Sequence, residues 1–315
     1  LRIWKFNGND VLLHALPIYH IHGLFVACNL CLLSGAKIYF IKKFQTETVI
    51  EYLPKSTVMM GVPTFYTRLI ESNKLNIQIT KNIRVFISGS APLLSETHKE
   101  FERLTGHKIL ERYGMTETNM NTSNPYDGER RAGTVGFPLQ GIKIRITDTE
   151  KNHKTASEKI GMIEIKGENV FEGYWKMSDK TKESFTDDGY FVTGDLGKFS
   201  SDGYLSIIGR NKDLIISGGL NIYPKEIEVV IDGINNVKET AVIGVTHKDF
   251  GEAVVAVVVA DREKVSESSI MEIVQTKLAK FKQPKKIIFL NALPRNAMGK
   301  VQKQNLRNNY NKLFN

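Results

Sequence analysis

Residues 111–118 read ERYGMTET and follow a short apolar run, so the pattern predicts the end of a buried strand that opens into a loop. Gly114 lets the backbone turn sharply or approach a ligand closely. Thr116 offers a hydroxyl to a phosphate oxygen, Glu117 offers the hard carboxylate oxygen that Mg²⁺ prefers, and Tyr113 offers a flat face to a base. Taken alone, the stretch is better explained as a strand end with a polar turn, so a functional interpretation depends on the stretches around it.

Upstream of this stretch, apolar strands alternate with helices. Strands are predicted at residues 10–16, 36–41, 57–60 and 85–87, and helices at 24–33, 46–53, 65–71 and 94–105, with Thr64 and Ser95 as N-caps of the last two. This alternation predicts a mostly parallel α/β sheet, and ligands of such sheets bind outside the carboxyl ends of the strands. Two loops of small residues, 61–64 (GVPT) and 88–92 (SGSAP), fall at such ends.

From Gly133 onward the pattern changes to short strands separated by Gly and Asp, which predicts a small antiparallel barrel-like subdomain. Beyond residue 210 it predicts a small α+β domain that ends in an Asn/Lys-rich tail, 305–315, which we expect to fray. The predicted organisation is a large domain, 1–210, made of an α/β part (1–132) and a β-rich part (133–210), followed by a small mobile domain, 211–315.

Six stretches, taken together, resemble the signature motifs of the adenylate-forming enzymes, the superfamily of acyl-CoA synthetases, luciferases and peptide-synthetase adenylation domains. They occur in the family order and cover nearly the whole chain: 16–20 (LPIYH), 88–93 (SGSAPL), 113–117 (YGMTE), 193–196 (TGDL), 209–213 (GRNKD) and 294–300 (PRNAMGK). Within the superfamily the wording is most similar to that of malonyl-CoA synthetases, in residues 14–20, 60–69 and 111–124.

The resemblance implies a reaction in two halves. A carboxylate attacks the α-phosphate of ATP to give an acyl-adenylate, and the thiol of CoA then displaces AMP. The implied catalytic residues are Thr116, Glu117 as the Mg²⁺ ligand, and Lys300. The implied AMP and ATP contacts are Ser88, Gly89, Ser90, Ala91, Tyr113, Gly114, Thr116, Asp195 and Arg210, and the implied hinge and CoA positions are Lys212, Ser217 and Gly218.

Substrate choice depends on Arg112, which directly precedes the implied nucleotide contact Tyr113. A guanidinium can grip a carboxylate with two hydrogen bonds, so a distal carboxylate on malonate or methylmalonate would satisfy it. His20 and Met120 are further candidates for the pocket lining. For Arg112, a structural pair with Glu111 or another acid stays open. For the chain, the alternatives are a medium-chain or aryl acyl-CoA ligase, a non-catalytic fragment, and an adenylation domain that loads a carrier protein, although no carrier domain follows in these 315 residues.

The chain departs from the family at one point. The Ser/Thr/Gly-rich loop that wraps the ATP phosphates should lie shortly upstream of the position that Leu1 matches, and it is absent from these 315 residues. We interpret the sequence as the C-terminal fragment of a longer enzyme, and we expect it to be inactive without its N-terminal part.

Composition excludes some classes of function. The net charge is +9, which is compatible with anionic substrates, but no recognition helix or zinc finger indicates nucleic acid, and no apolar run is long enough to span a membrane. Cys28 and Cys31 make zinc conceivable, although their apolar surroundings favour buried thiols. Two cysteines without a secretory signal fit a cytoplasmic protein, or one of the mitochondrial matrix in a eukaryote.

Overall fold

The computed structural model describes residues 1–148, 158–296 and 299–314, and its chain divides into two compact units. The first unit contains Leu1–Thr193 and Gly197–Ile207, and the second contains Gly194–Leu196 and Ile208–Asn315. Each unit has its own sheet structure and its own apolar core, and each is described by itself.

The first unit is built on a seven-stranded sheet in the order β2-β1-β3-β4-β5-β6-β7. Its strands are β1 (Val11–His14), β2 (Lys37–Phe40), β3 (Val58–Gly61), β4 (Val85–Ser88), β5 (Leu110–Tyr113), β6 (Thr122–Ser123) and β7 (Phe137–Pro138). The first five are parallel and the last two antiparallel, which confirms the predicted α/β class. The strand order reverses between β1 and β3, and doubly wound sheets generally bind ligands outside the carboxyl ends of their strands at such a point.

Helices connect these strands. They are a π-helix (His22–Cys28), α1 (Asn29–Ser34), α2 (Thr46–Tyr52), α3 (Pro63–Ile70), α4 (Ile77–Thr80) and α5 (Ser95–Thr105). The predicted caps Thr64 and Ser95 are wrong, because both residues lie inside the first turn of their helices. Proline at position 63 fixes φ at a helical value, so α3 begins one residue before Thr64.

An aromatic cluster holds α3 and α5 against β4. The rings of Tyr66, Phe86 and Phe101 meet edge to face, with centroids 4.8–6.3 Å apart. The hydroxyl of Tyr66 donates to the carbonyl of Ile87 at 2.6 Å, so its one polar atom is satisfied inside the core. This packing fixes the end of β4, from which the loop at Ser88 leaves the sheet.

A four-stranded sheet in the order β11-β10-β9-β8 follows. Its strands are β8 (Lys143–Thr147), β9 (Gly161–Lys166), β10 (Phe191–Phe199) and β11 (Leu205–Arg210), and a short helix, α6 (Ser178–Glu183), lies between β9 and β10. β8 and β9 pair antiparallel, as the sequence predicts, from Lys143 opposite Lys166 to Thr147 opposite Met162. The isoleucines at 146, 163 and 165 and Leu205 form the core of this sheet.

The second unit is a five-stranded sheet with helices. Its strands are β12 (Ile215–Ser217), β13 (Leu220–Ile222), β14 (Val237–His247), β15 (Gly251–Ala260) and β16 (Lys286–Phe289), and its helices are α7 (Pro224–Asp232), α8 (Glu267–Lys277) and α9 (Lys303–Tyr310). The expected fraying of the tail is wrong over α9. Leu306 is buried in the core, and Arg307 pairs with Asp213 at 2.7 Å, so these two contacts dock the helix.

Candidate active site

The carboxyl ends of β4 and β5 bring two of the predicted stretches together in the first unit. Ser88 lies opposite Glu111 in the parallel register, and Arg112 is the next residue of β5. The amide of Gly89 donates to the carbonyl of Gly61 at 3.3 Å, which places the loop after β3 beside the loop after β4. The small-residue loops and the ERYGMTET stretch therefore share one edge of the sheet.

The loop after β4 has a constrained backbone. Ser90 has φ of 70°, a left-handed conformation that is uncommon for residues other than glycine. Its hydroxyl lies 3.2 Å from Nδ1 of His22, an interaction that helps to hold this conformation. Backbone strain of this kind concentrates at functional sites, where the surrounding structure has to maintain it.

Arg112 is buried at this edge without a matching anion. Only 3% of the residue is exposed, and neither its Nε nor its Nη2 has a hydrogen-bond partner among the described residues. Burial lowers the pKa of Arg112 to about 10, so the guanidinium still carries its charge at neutral pH. A buried cation whose donors are unsatisfied is costly, and the cost is relieved when an anion binds beside it.

Gly89 makes room for this guanidinium. A Cβ at position 89 would lie 2.5 Å from Nε of Arg112 and 2.7 Å from its Cζ. The glycine predicted to approach a nucleotide base therefore also has a local role, because it leaves space for the side chain of Arg112.

His22 is a candidate site residue that sequence reasoning placed in a turn and did not select. It starts the π-helix, is fully buried, and has no described hydrogen-bond partner at Nε2. Burial, and next the positive charge of Arg112, lower the pKa of His22 well below its usual value, so the imidazole is neutral. The selected His20 is half-buried, and its Nδ1 accepts from the His22 amide at 3.2 Å. The only pattern in the sequence that could have indicated His22 is the pair of histidines separated by one residue.

The loop after β5 presents the side chains predicted for phosphate and metal. Thr116 is exposed, and the half-buried Glu117 accepts at Oε1 from the hydroxyl of Tyr174 at 3.1 Å. Gly114 is required sterically, since a Cβ there would lie 1.9 Å from the carbonyl oxygen of Asn119. Tyr113 is half-buried, and Met120 packs at the edge of the core of the first unit.

These residues fit a magnesium ion that is held jointly with phosphate. No group of three or more His, Cys, Asp or Glu side chains with metal-binding geometry occurs among the described residues. Mg²⁺ in nucleotide sites is commonly bound by one or two carboxylates together with substrate phosphates, so a single carboxylate such as that of Glu117 would suffice. Cys28 and Cys31 form no such group either. Cys31 is buried, and the sulfur of Cys28 lies 3.8 Å from Nε2 of His14.

The second unit brings Asp195 and Arg210 together. The Arg210 guanidinium pairs with the buried Asp195 carboxylate, with Nε 2.8 Å from Oδ1. Lys212 lies exposed in a short 3-10 helix, Asn211–Asp213. Ser217 ends β12 and pairs with Leu220 across a two-residue turn.

Lys300 is exposed in the second unit. The Asn296 amide donates to the Lys300 carbonyl, and the Lys300 amide donates to the Asn296 side chain, both at 3.0 Å. Arg295 donates to the Gly299 carbonyl at 2.5 Å and also pairs with Glu239. Ala297 and Met298, which belong to the same predicted motif, lie outside the described residues.

The folds and motifs described above define a family. The chain belongs to the AMP-binding enzymes: the model of that family matches residues 1–175, and the model of the AMP-binding enzyme C-terminal domain matches residues 226–300. The resemblance drawn from the six sequence stretches is thereby confirmed.

Particular relatives narrow the comparison. A malonate–CoA ligase of Arabidopsis thaliana is 37% identical over 96% of this chain and 55% of its own length. A long-chain-fatty-acid–CoA ligase of Yersinia pestis is 32% identical over 95% of this chain and 54% of its own. The crystal structure of ATP-bound MatB from Rhodopseudomonas palustris is 55% identical, with a TM-score of 0.98, over 100% of this chain and 63% of that one.

The chain spans about half the length of the curated relatives that it matches. Among its described residues, the structure contains no helix that is both long enough and apolar enough to cross a membrane.

Proposed function

We propose that the complete protein containing this chain is an ATP-dependent acid–thiol ligase. It forms malonyl-CoA, or methylmalonyl-CoA, from the dicarboxylate, ATP and CoA through an acyl-adenylate. The observation that carries the choice of acid is Arg112, a buried cation whose Nε and Nη2 have no partner among the described residues. A second carboxylate on the substrate supplies the missing anion, whereas a fatty acyl chain would leave the buried charge unpaired.

The neighbours of Arg112 support this assignment. His22 is neutral and buried, and its Nε2 is unsatisfied among the described residues, so it can add a hydrogen bond to an anion without adding charge. Its Nδ1 interaction with Ser90 maintains the left-handed turn of the loop after β4. We assign His20 and Met120, both half-buried, to the lining of the same pocket.

We assign nucleotide binding to the loops at this edge. Ser88, Gly89, Ser90 and Ala91 form a small-residue surface for adenine, and Tyr113 and Gly114 complete it. Thr116 donates to phosphate, and Glu117 binds the Mg²⁺ ion, which when bound neutralises charge on the phosphates. In the second unit, Arg210 orients the Asp195 carboxylate, which has further lone pairs for the ribose hydroxyls.

The remaining assignments follow from the resemblance. Lys300 serves the adenylation half-reaction, because an ammonium stabilises the negative charge that develops when a carboxylate attacks the α-phosphate. Lys212 serves as the hinge, and Ser217 and Gly218 line the path of the CoA thiol. The cytoplasm, or the mitochondrial matrix in a eukaryote, is the proposed compartment, where these substrates occur.

The proposal is tested on the complete purified protein. It is supplied with ATP, Mg²⁺ and CoA together with malonate, methylmalonate, acetate, octanoate or benzoate, and AMP and the thioester are quantified by chromatography. We expect kcat/KM for malonate or methylmalonate to exceed that for the monocarboxylates by at least about thirtyfold, the lower end of what pairing a buried charge contributes. A preference for octanoate or benzoate, or AMP formation without thioester, would contradict the proposal.

A further inference from the structure

A second segment of the first unit holds the loop that carries Glu117. The amide of Phe171 donates to the backbone carbonyl of Glu117 at 2.8 Å. The side-chain amide of Asn169 donates to the carbonyls of Thr118, at 2.6 Å, and Met120, at 3.2 Å. The Tyr174 hydroxyl then reaches the carboxylate of Glu117 itself. Residues 169–174, which we call the clamp segment, therefore contact both the backbone and the side chain of this loop.

The clamp segment is itself anchored. The ring of Phe171 packs edge to face against the buried ring of Phe191, with centroids 5.4 Å apart. The amide of Tyr174 donates to the hydroxyl of Thr181 in α6 at 2.9 Å, and a Cβ at Gly173 would lie 2.6 Å from the Thr181 side chain. A close fit of this kind between backbone and helix limits how far the Tyr174 hydroxyl can move.

We propose that Tyr174 is a positioning residue for the metal-binding carboxylate. Its hydroxyl donates to Oε1 of Glu117 and fixes the rotation of the carboxylate, so that Oε2 is directed to the cation. The inference rests on the proposed function, in which Glu117 binds Mg²⁺.

The hydrogen bond from Tyr174 restricts the rotamers of the Glu117 side chain before the metal binds. A half-buried glutamate on a loop has several rotamers, and immobilising a rotamer-rich side chain costs free energy at the moment of binding. One hydrogen bond from a fixed hydroxyl removes part of this cost, as outer-shell partners do for metal ligands in general. An ordinary phenol has a pKa of about 10, so the hydroxyl carries the proton that it donates at neutral pH.

The test uses Tyr174→Phe in the complete protein, with Mn²⁺ as a spectroscopic probe. Electron paramagnetic resonance measures free Mn²⁺ in the presence of ATP, so the readout does not depend on turnover. We expect the Kd for Mn²⁺ to rise roughly tenfold, the lower end of the range for outer-shell substitutions, and the Mg²⁺ concentration for half-maximal adenylation to rise in parallel. Tyr190→Phe is the matched control, since the side chain of Tyr190 contacts Arg145 and Lys166 through the face of its ring, which phenylalanine keeps. It should leave both values unchanged.

A double-mutant cycle separates positioning from general loosening. In a Glu117→Gln background, adding Tyr174→Phe should change the Mn²⁺ Kd by less than about twofold, because the carboxylate to be positioned is gone. An unchanged Kd in the single variant, or an equal loss in both backgrounds, would overturn the proposal. If Tyr174→Phe does not fold, Thr181→Val takes its place, because it removes the bond to the Tyr174 amide and should shift the Kd in the same direction.

The outcome is distinguishable from failure of the proposed function. A protein that binds Mn²⁺–ATP in a Tyr174-dependent manner, yet adenylates no dicarboxylate, would refute the choice of substrate and leave the role of Tyr174 intact. If the protein activates malonate but its Mn²⁺ affinity is unchanged by Tyr174→Phe, the role of Tyr174 is refuted and the choice of substrate is left intact.

Discussion

Replacing Arg112 by methionine should weaken malonate activation and at the same time stabilise the unliganded protein. The guanidinium is buried, and its Nε and Nη2 have no described partner, so the fold bears the cost of a desolvated charge without a compensating pair. Methionine has a similar length and an adaptable shape, and replacing buried charge by apolar groups is often neutral or stabilising by about 1–4 kcal/mol. We therefore expect the melting temperature to rise, as measured by calorimetry without substrates.

The catalytic effect has the opposite sign. Losing a buried charge pair costs about 2–5 kcal/mol, which corresponds to a fall in kcat/KM for malonate of roughly thirtyfold to several thousandfold. Acetate has no second carboxylate, so its kcat/KM should change by less than about fivefold, because one lost methylene-scale contact is worth at most about 1 kcal/mol. Steady-state assays of pyrophosphate release with both acids measure the difference.

A paired arginine provides the control for stability. Arg84 donates to both carboxylate oxygens of Asp10 at 2.7 Å. Arg84→Met leaves this buried carboxylate with its hydrogen bonds from Thr57 and Asn7 but without its cation, so the melting temperature should fall. If Arg112→Met lowers the melting temperature as Arg84→Met does, and malonate and acetate suffer equally, then Arg112 is structural and the reasoning from its missing partner is refuted.

Three further substitutions test other parts of the structure. Gly89→Ala places a Cβ 2.5 Å from Nε of Arg112, so the KM for malonate should rise at least about tenfold; an unchanged KM would show that the guanidinium can yield. Burial raises the pKa of Asp232 to about 7 from 3.8, so the folded protein keeps a proton that the unfolded chain loses, and stability falls as pH rises from about 4 to 7. Asp232→Asn should accordingly add on the order of 2–4 kcal/mol to the unfolding free energy at pH 8 and almost nothing at pH 4, as measured by urea titration, and an equal gain at both pH values would contradict this. Burial lowers the pKa of His14 to about 4 from 6.5, so the unfolded protein binds a proton that the folded protein does not, and stability falls as pH drops from 6.5 to 4. His14→Leu should reduce the slope of the unfolding free energy against pH by up to about 1.4 kcal/mol per pH unit. An unaltered slope would refute the lowered pKa of His14.

Strand positions at the site were predictable because they depend on local pattern. The apolar runs before Ser88 and before Arg112 indicate two buried strands, and the glycines that follow indicate loops. The sequence predicts that these strands pair in parallel, but it does not predict the register that sets Ser88 opposite Glu111, since register depends on how the connecting helices pack.

The features missed by sequence reasoning are tertiary. Nothing near His22 indicates that its ring would meet Ser90, because the two are 68 residues apart. The contact between the clamp segment and Glu117 could not be predicted from the sequence either. Tyr174 and Glu117 are 57 residues apart and meet only when the β-rich part folds. The tail was expected to fray because it is polar, yet the burial of Leu306 and the pair formed by Arg307 suffice to hold α9.

The turn between β12 and β13 has a consequence for which residues position 218 tolerates. Gly218 and Gly219 have φ of 58° and 77°, and the strands continue directly on either side, which is the geometry of a type I′ hairpin. The geometry alone would accept Asn-Gly, the pair most often found in such turns, since asparagine tolerates a left-handed backbone. If Gly218 also lines the path of the CoA thiol, as proposed above, two requirements fall on this residue and can be separated. The hairpin excludes most side chains at 218 but admits asparagine, whereas an open path for a thiol admits only hydrogen. Gly218→Asn should therefore keep the fold, and any loss of thioester formation in this variant would be due to the blocked path alone.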